Sequence, residues 1–186
     1  IVDGNYYDLS GNVDENQKGD SILTSYATLN TSNTADGAFG YIARNGGTLN
    51  HKGSIDFDQA GSTGVLVSGG TLNNDGDIKV NGVAVSIEGA DSVVNNNATV
   101  TATDGTAAYL VGNDASLSLT GSGETKASGD AHGILLAAGA KGLLVDGAII
   151  TMDSTGKGSA IENVANIAGI QLKDTTISVG NGIGIH

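Results

Sequence analysis

The chain has 186 residues, 39% of them apolar and only 4% aromatic, with 30 glycines, no proline and no cysteine. That length is enough for one domain with a real interior, and the apolar content excludes a disordered composition. The absence of cysteine excludes a disulfide framework and thiolate metal sites, and a net charge of −12 with eight basic residues argues against binding nucleic acid or anionic lipid headgroups.

In chain order, residues 1 to 36 show apolar positions (Ile22, Leu23, Tyr26, Leu29) without a clear repeat. The polar run "DENQKGD" (14–20) predicts a loop. Residues 1–33 are therefore expected to form irregular first rungs or a loop, and residues 34–186 regular rungs of one single domain. No signal-peptide pattern is read at Ile1, and no run approaches the ~18 apolar residues of a membrane span. Because the chain opens and closes inside patterned sequence, it is expected to be an excised fragment with no membrane insertion of its own.

From Ile42 onward a three-place repeat sets in. Ile42, Leu49 and Ile55 are followed by Val65, Leu72 and Ile78, then by Ile87, Val94 and Val100. Leu110 and Leu117 continue it with Gly123 in the third place. Leu136, Leu143 and Ile149 follow, and Ile161, Ile170 and Ile177 keep the order without the spacing. Between the first and second places lie turn residues such as Asn45-Gly46-Gly47, Ser68-Gly69-Gly70 and Gly112-Asn113-Asp114. Gly and Asn tolerate left-handed backbone, so they suit sharp corners.

Each unit thus reads as three short strands joined by two tight corners and a return. No unit can bury its apolar side chains alone, but stacked units share one interior. The predicted fold class is all-β: a parallel β-helix with rungs of about 22–27 residues, ~4.8 Å apart, seven or eight rungs deep. Ala43, Ala84, Ala107, Ala108, Ala137 and Ala138 suit a narrow interior or close corner. Asn50, Asn73 and Asn95 occupy equivalent places and form either a stacked amide ladder or solvated turn residues. Residues 160–172 ("AIENVANIAGIQL") have a helical spacing locally; a distorted rung is expected because strand signals return at "TTISV".

Chemistry-bearing patterns are weak. Gly19-Asp20-Ser21-Ile22 echoes two hydrolase nucleophile blocks, but a nucleophilic Ser needs a base in reach, and nothing around His51, His132 or His186 matches. "STGKGS" (154–159) lacks the first Gly of a phosphate loop and has Gly158 where Ser or Thr should follow Lys157. Asp56 with Asp58, and Asp75 with Asp77, could share a strand face and hold Ca²⁺ or act as an acid–base pair. Each pair flanks an inward apolar residue or a turn, so both are expected to face solvent. Thr99, Thr101 and Thr103 line one strand face, but the equivalent residues one rung earlier are Asp77, Lys79 and Asn81, which breaks an ice-binding rank. No catalytic, metal or cofactor residue is assigned.

The reiterated "GGTLNHKGSI", "GGTLNNDGDI" and "SVVNNNATV", with absent Cys and an acidic, Gly- and Asn-rich composition, resemble the passenger domains of bacterial autotransporters, especially the AIDA-like adhesins, over Thr34 to His186. The resemblance implies a right-handed parallel β-helix secreted across the outer membrane of a Gram-negative bacterium by its own C-terminal barrel. It also implies a surface-exposed role in adhesion, autoaggregation or biofilm formation. The expected partners are a host matrix protein, a glycan, or a second copy on a neighbouring cell. The alternatives are a polysaccharide-processing enzyme on the same fold, or a segment of a phage or surface-layer fibre. The enzyme fits less well: the units are nearly uniform, Trp is absent, and Arg44 is the only arginine. A trimeric fibre would show exposed apolar positions along one edge.

Overall fold

In the computed structural model the described residues are 1–7, 13–18, 21–31 and 37–186. Their strands, in chain order, are β1 Val2–Asp3, β2 Asn5–Tyr7, β3 Val13–Lys18, β4 Ile22–Ser25, β5 Thr28–Asn30, β6 Phe39–Arg44, β7 Thr48–His51, β8 Ser54–Ser68, β9 Thr71–Asn74, β10 Ile78–Glu88 and β11 Val93–Asn96. They continue with β12 Thr99–Thr103, β13 Ala107–Val111, β14 Ser116–Thr120, β15 Glu124–Ser128, β16 His132–Leu136, β17 Gly142–Asp146, β18 Ile149–Met152, β19 Ser159–Asn163, β20 Ile170–Lys173, β21 Thr176–Val179 and β22 Ile183–Ile185. Among the described residues there is no helix, and hence none able to cross a membrane, which says nothing of a β-barrel.

The strands coil into a parallel β-solenoid. Its first face stacks β1, β6, the second half of β8, the second half of β10, β13, β16, β19 and β22. The second face stacks β4, β7, β9 and β11 as one sheet and β14, β17 and β20 as another. The third stacks β5, the first half of β8, the first half of β10, β12, β15, β18 and β21. β8 and β10 are long because each runs unbroken through the corner from the third face into the first.

The repeat produces this fold because apolar residues land on the inner side at every level. Leu49 pairs with Leu72 and Leu72 with Val94. Ile55 pairs with Ile78 and Ile78 with Val100. All six are buried in one continuous column, and burying an aliphatic side chain of that size stabilises by about 1.5–3 kcal/mol. Corners between the first and second faces use positive φ at Asn45, Gly46, Gly69, Gly89, Asn113 and Asp114, as their composition predicts. At the following corner Gly76 is needed for a different reason: a Cβ there would lie 2.0 Å from the carbonyl oxygen of Gly53 one level below.

Several expectations require correction. On the first face Val65 pairs with Val85, not Ile87, and Ile87 pairs with Val67 and Val111. Ile42 and Leu110 point outward; Tyr41 and Ala43, and Tyr109 and Val111, flank them on the inner side. The cause is a slip in alternation where the chain rounds the corner. There, consecutive residues (Gly64 and Val65, Ala84 and Val85, Ala108 and Tyr109, Gly133 and Ile134) are both buried. On the third face the inner place falls to Thr125 rather than Gly123, and to Ile150 rather than Ile149, which is 43% exposed.

Ile22–Ser25 and Thr28–Asn30, which show no repeat in sequence, stack in register on β7 and β8. The polar run 14–20 is not a loop at its start: Val13–Lys18 is a strand antiparallel to Asn5–Tyr7. Gly19, Asp20 and the expected rung boundary at Thr34 lie outside the described residues. Residues 159–173 form β19, a turn and β20, a distorted rung and not a helix. Of the small residues, Ala43, Ala84, Ala107 and Ala108 are fully buried, while Ala138 is exposed.

Candidate functional site

A solenoid places equivalent side chains in ranks, so its chemistry is read along a face. The outer side of the second face carries a rank of amides. Asn73 donates from Nδ2 to Oδ1 of Asn50 at 2.8 Å, and Asn95 donates to Oδ1 of Asn73 at 2.8 Å. Asn50 in turn donates to the Thr24 hydroxyl at 3.2 Å. This is the ladder alternative of the two that the sequence left open. Each carboxamide spends one N–H within the rank and keeps a second N–H and spare lone pairs for solvent or a ligand. The three amides span about 10 Å, given the spacing of stacked strands.

At the adjoining corner runs a second outer rank. Lys52 Nζ is 3.1 Å from Asp75 Oδ2, and Asn97 Nδ2 donates to Asp75 Oδ1 at 3.0 Å. The Asn97 amide, then Lys52, hold the Asp75 carboxyl below its ordinary value.

One residue further along, facing inward, lies a third rank. The neighbours of the outer amides are His51, Asn74 and Asn96, all buried. His51 Nδ1 is 2.6 Å from Asn74 Oδ1, Asn74 donates to Asn96 Oδ1 at 2.7 Å, and Asn96 donates to the Ala98 carbonyl at 2.8 Å. The Ala98 N–H, 3.4 Å from Asn96 Oδ1, orients that amide. The direction then propagates: Asn74 Oδ1 must accept, so Nδ1 of His51 carries a proton. The sequence did hold a signal for this rank. Asn50-His51, Asn73-Asn74 and Asn95-Asn96 recur, and adjacent strand residues face opposite sides, so one member of each pair had to lie inside.

The remaining candidate residues do not assemble a catalytic centre. Ser21 precedes β4, and its carbonyl accepts from the Thr48 N–H at 2.8 Å, while His51 is committed to Asn74. In the 154–159 segment the Asp153 carboxylate accepts from the Thr155 hydroxyl (2.6 Å), the Thr155 N–H (2.7 Å) and the Gly156 N–H (3.0 Å). A carboxylate of the chain itself therefore fills the nest a phosphate would need, and a strand rather than a helix follows. Asp56 and Asp58 are exposed and share Lys79 at 3.0 and 3.6 Å. Asp77 accepts from the Thr99 N–H at 3.1 Å. Asp56, Asp77 and Lys79 edge a shallow open trough of ≈ 500 Å³ on the third face, together with Thr99, Thr101 and Lys126. The threonine rank stops after one level, since Thr99 and Thr101 pair with Glu124 and Lys126.

His132 and His186 meet at Glu162, late on the first face. Glu162 Oε2 accepts from the Ser159 hydroxyl at 2.6 Å and lies 3.9 Å from His132 Nδ1; Oε1 is 2.8 Å from His186 Nδ1. Ser159 chiefly, then His186 and His132, hold the Glu162 carboxyl low. His132 Nδ1 also accepts the Ser159 N–H at 3.0 Å, so the imidazole cannot take a proton from the Ser159 hydroxyl through that nitrogen. Among the described residues, no group of three or more His, Asp or Glu side chains is arranged to hold a metal ion. Comparison with known family models, with curated proteins and with solved structures finds no match for this chain.

Proposed function

We propose that this solenoid is a non-catalytic, surface-exposed passenger domain that acts in adhesion, autoaggregation or biofilm formation, outside the cell that makes it. The observation that supports this reading is the outer amide rank Asn50–Asn73–Asn95. It is rigid, uncharged and regularly spaced, and it alternates donors with acceptors. Such a comb suits a partner with its own regular polar groups: a glycan, an extended matrix polypeptide or another copy of the rank. Because the side chains are already fixed by one another, little rotamer freedom is lost on binding. The resemblance to AIDA-like passenger domains points the same way.

The test uses beads coated with the purified protein. Aggregation of the beads, and their capture on matrix proteins and immobilised glycans, are expected to drop when Asn50, Asn73 and Asn95 are all replaced by alanine. No glycan fragments are expected in the supernatant. Release of fragments, or binding indifferent to the triple replacement, would contradict the reading.

A further inference from the structure

The second face carries another outer strip beside the amides. Ile22 stacks on Thr48, Thr48 on Thr71 and Thr71 on Val93. Four successive levels thus each present the methyl groups of a β-branched side chain, with Ile22 66% and Val93 45% exposed. Two residues further along the same strands, and therefore on the same side, stand Thr24, Asn50, Asn73 and Asn95, joined by side-chain hydrogen bonds. β4, β7, β9 and β11 contain no Asp, Glu, Lys or Arg, although the chain carries a net charge of −12. A methyl strip and an amide strip, both uncharged, run side by side ~6.6 Å apart for about 14 Å along the rod.

We propose that these paired strips bind a neutral, extended, β-1,4-linked polysaccharide lying along the rod axis, one sugar ring to each level. The inference rests on the amide-face reading and adds the chemical class of the ligand and its direction. Three features select that class. The first is amphipathy. A β-linked pyranose carries its equatorial hydroxyls at the ring edge and C–H groups on its faces. A ring tilted across the two strips sets C–H against methyl, and hydroxyls against the spare N–H and lone pairs of the carboxamides.

The second is spacing. The levels repeat every ~4.8 Å, whereas an extended polypeptide presents same-side groups every ~6.6 Å and loses phase after one level. A β-1,4-linked chain advances by about one level per ring, so hydroxyls meet amides along the whole strip.

The third is charge. A uronate or sulfated chain would enter the field of an acidic rod with no cation on the strips to offset it. Lys52, at the adjoining corner, is engaged by Asp75 at 3.1 Å. A neutral chain meets no such barrier.

The experiment is an NMR titration of the isotope-labelled intact chain with cellohexaose, mannohexaose and chitohexaose. At least one should bind, with Kd on the order of 1 mM. It should shift the side-chain amides of Asn50, Asn73 and Asn95 and the backbone amides of Thr48 and Thr71, and leave Thr101 and Lys126 on the third face unmoved. Maltohexaose, whose α-linkage makes the chain coil, and carboxymethylated cello-oligosaccharides should bind roughly tenfold more weakly, and the deficit of the carboxymethylated chain should shrink as salt is added. Thr48→Ser with Thr71→Ser removes two methyls, keeps both hydroxyls, and should weaken binding roughly fivefold with an unchanged circular dichroism spectrum. Silence of all three neutral chains, equal binding of the coiled or carboxymethylated chains, shifts centred on another face, or binding indifferent to the Thr→Ser pair would overturn the proposal. If the neutral chains are silent while bead capture on a matrix polypeptide still falls with the triple Asn→Ala replacement, the polysaccharide inference alone fails and the amide-face reading stands. Silence together with capture indifferent to that replacement would fell both.

Discussion

The second face is built twice, by two chemistries. In its first sheet the inner positions of each strand pair an aliphatic with a polar residue: Leu49 with His51, Leu72 with Asn74, Val94 with Asn96. In its second sheet both inner positions are aliphatic: Leu117 with Leu119 and Leu143 with Val145, both pairs buried, with Ile170 and Leu172 in register on the last strand, where Leu172 is exposed. The strand ladder itself is interrupted between them, since β11 and β14 belong to separate sheets. The backbone path is alike in both, so a coil of this shape tolerates either a hydrogen-bonded polar file or an aliphatic one. They differ in tolerance to error. A polar file is satisfied only when every level is in place, whereas aliphatic contacts degrade gradually.

The largest expected effect is at Asn74. Asn74→Leu strands the buried His51 Nδ1–H and leaves the buried Asn96 Oδ1 with only the Ala98 N–H at 3.4 Å, at about 1–3 kcal/mol for each group left short of a partner, so unfolding in urea should lose about 3–4 kcal/mol with an unchanged m-value. Replacing His51, Asn74 and Asn96 together by leucine gives the first sheet the chemistry of the second. That triple variant should recover to within about 1 kcal/mol of the parent, because no buried polar side chain is left without its partner; a triple variant as unstable as Asn74→Leu would show that the two chemistries are not interchangeable. Next in size, Leu143→Ala should cost about 3 kcal/mol by leaving a cavity in the aliphatic half.

Smaller effects separate buried from exposed polar groups. Tyr109 on the first face is fully buried, its hydroxyl has no partner among the described residues, and burial pushes its phenol above the ordinary range. Tyr109→Phe is therefore expected to leave stability unchanged or raise it by up to about 1 kcal/mol in the same urea assay. Asn73→Ala, in the outer rank, should cost under about 1 kcal/mol because water replaces its partners.

The smallest effect is at Glu162. Folding lowers its carboxyl from the ordinary 4.5, chiefly through the Ser159 hydroxyl. Its contribution is present above that value and lost as pH falls through the lowered one. Glu162→Gln should flatten the acid side of the stability profile between those limits and leave neutral pH little changed.

How much of this was legible in the sequence differs by face. The second-face columns Leu49, Leu72, Val94 and Leu117, Leu143, Ile170 were placed correctly because Gly- or Asn-rich corners fix where each strand starts. The first-face column was misread by one or two residues, since the double inward step at Ala84-Val85 and Ala108-Tyr109 leaves no mark in hydropathy. Ile22–Asn30 was missed because it lacks the Thr-Leu-Asn echo of later levels, although Leu29 stacks on Ile55 like any other rung residue. The outer amide rank was visible as one of two alternatives. Its buried counterpart was not, because asparagine was read only as a turn or surface residue.

The most direct test of the whole account is whether Asn50, Asn73 and Asn95 stand over one another. The chain has no native cysteine, so pairs can be introduced cleanly. Neighbouring strands in register bring Cα atoms about 4.8 Å apart, within disulfide reach. Asn73→Cys with Asn95→Cys, and Asn50→Cys with Asn73→Cys, should close intramolecular disulfides under mild oxidation, while Asn73→Cys with Asn97→Cys, two residues out of register, should close far less. Equal closure of the in-register and out-of-register pairs, or none in either, would contradict the stacked solenoid.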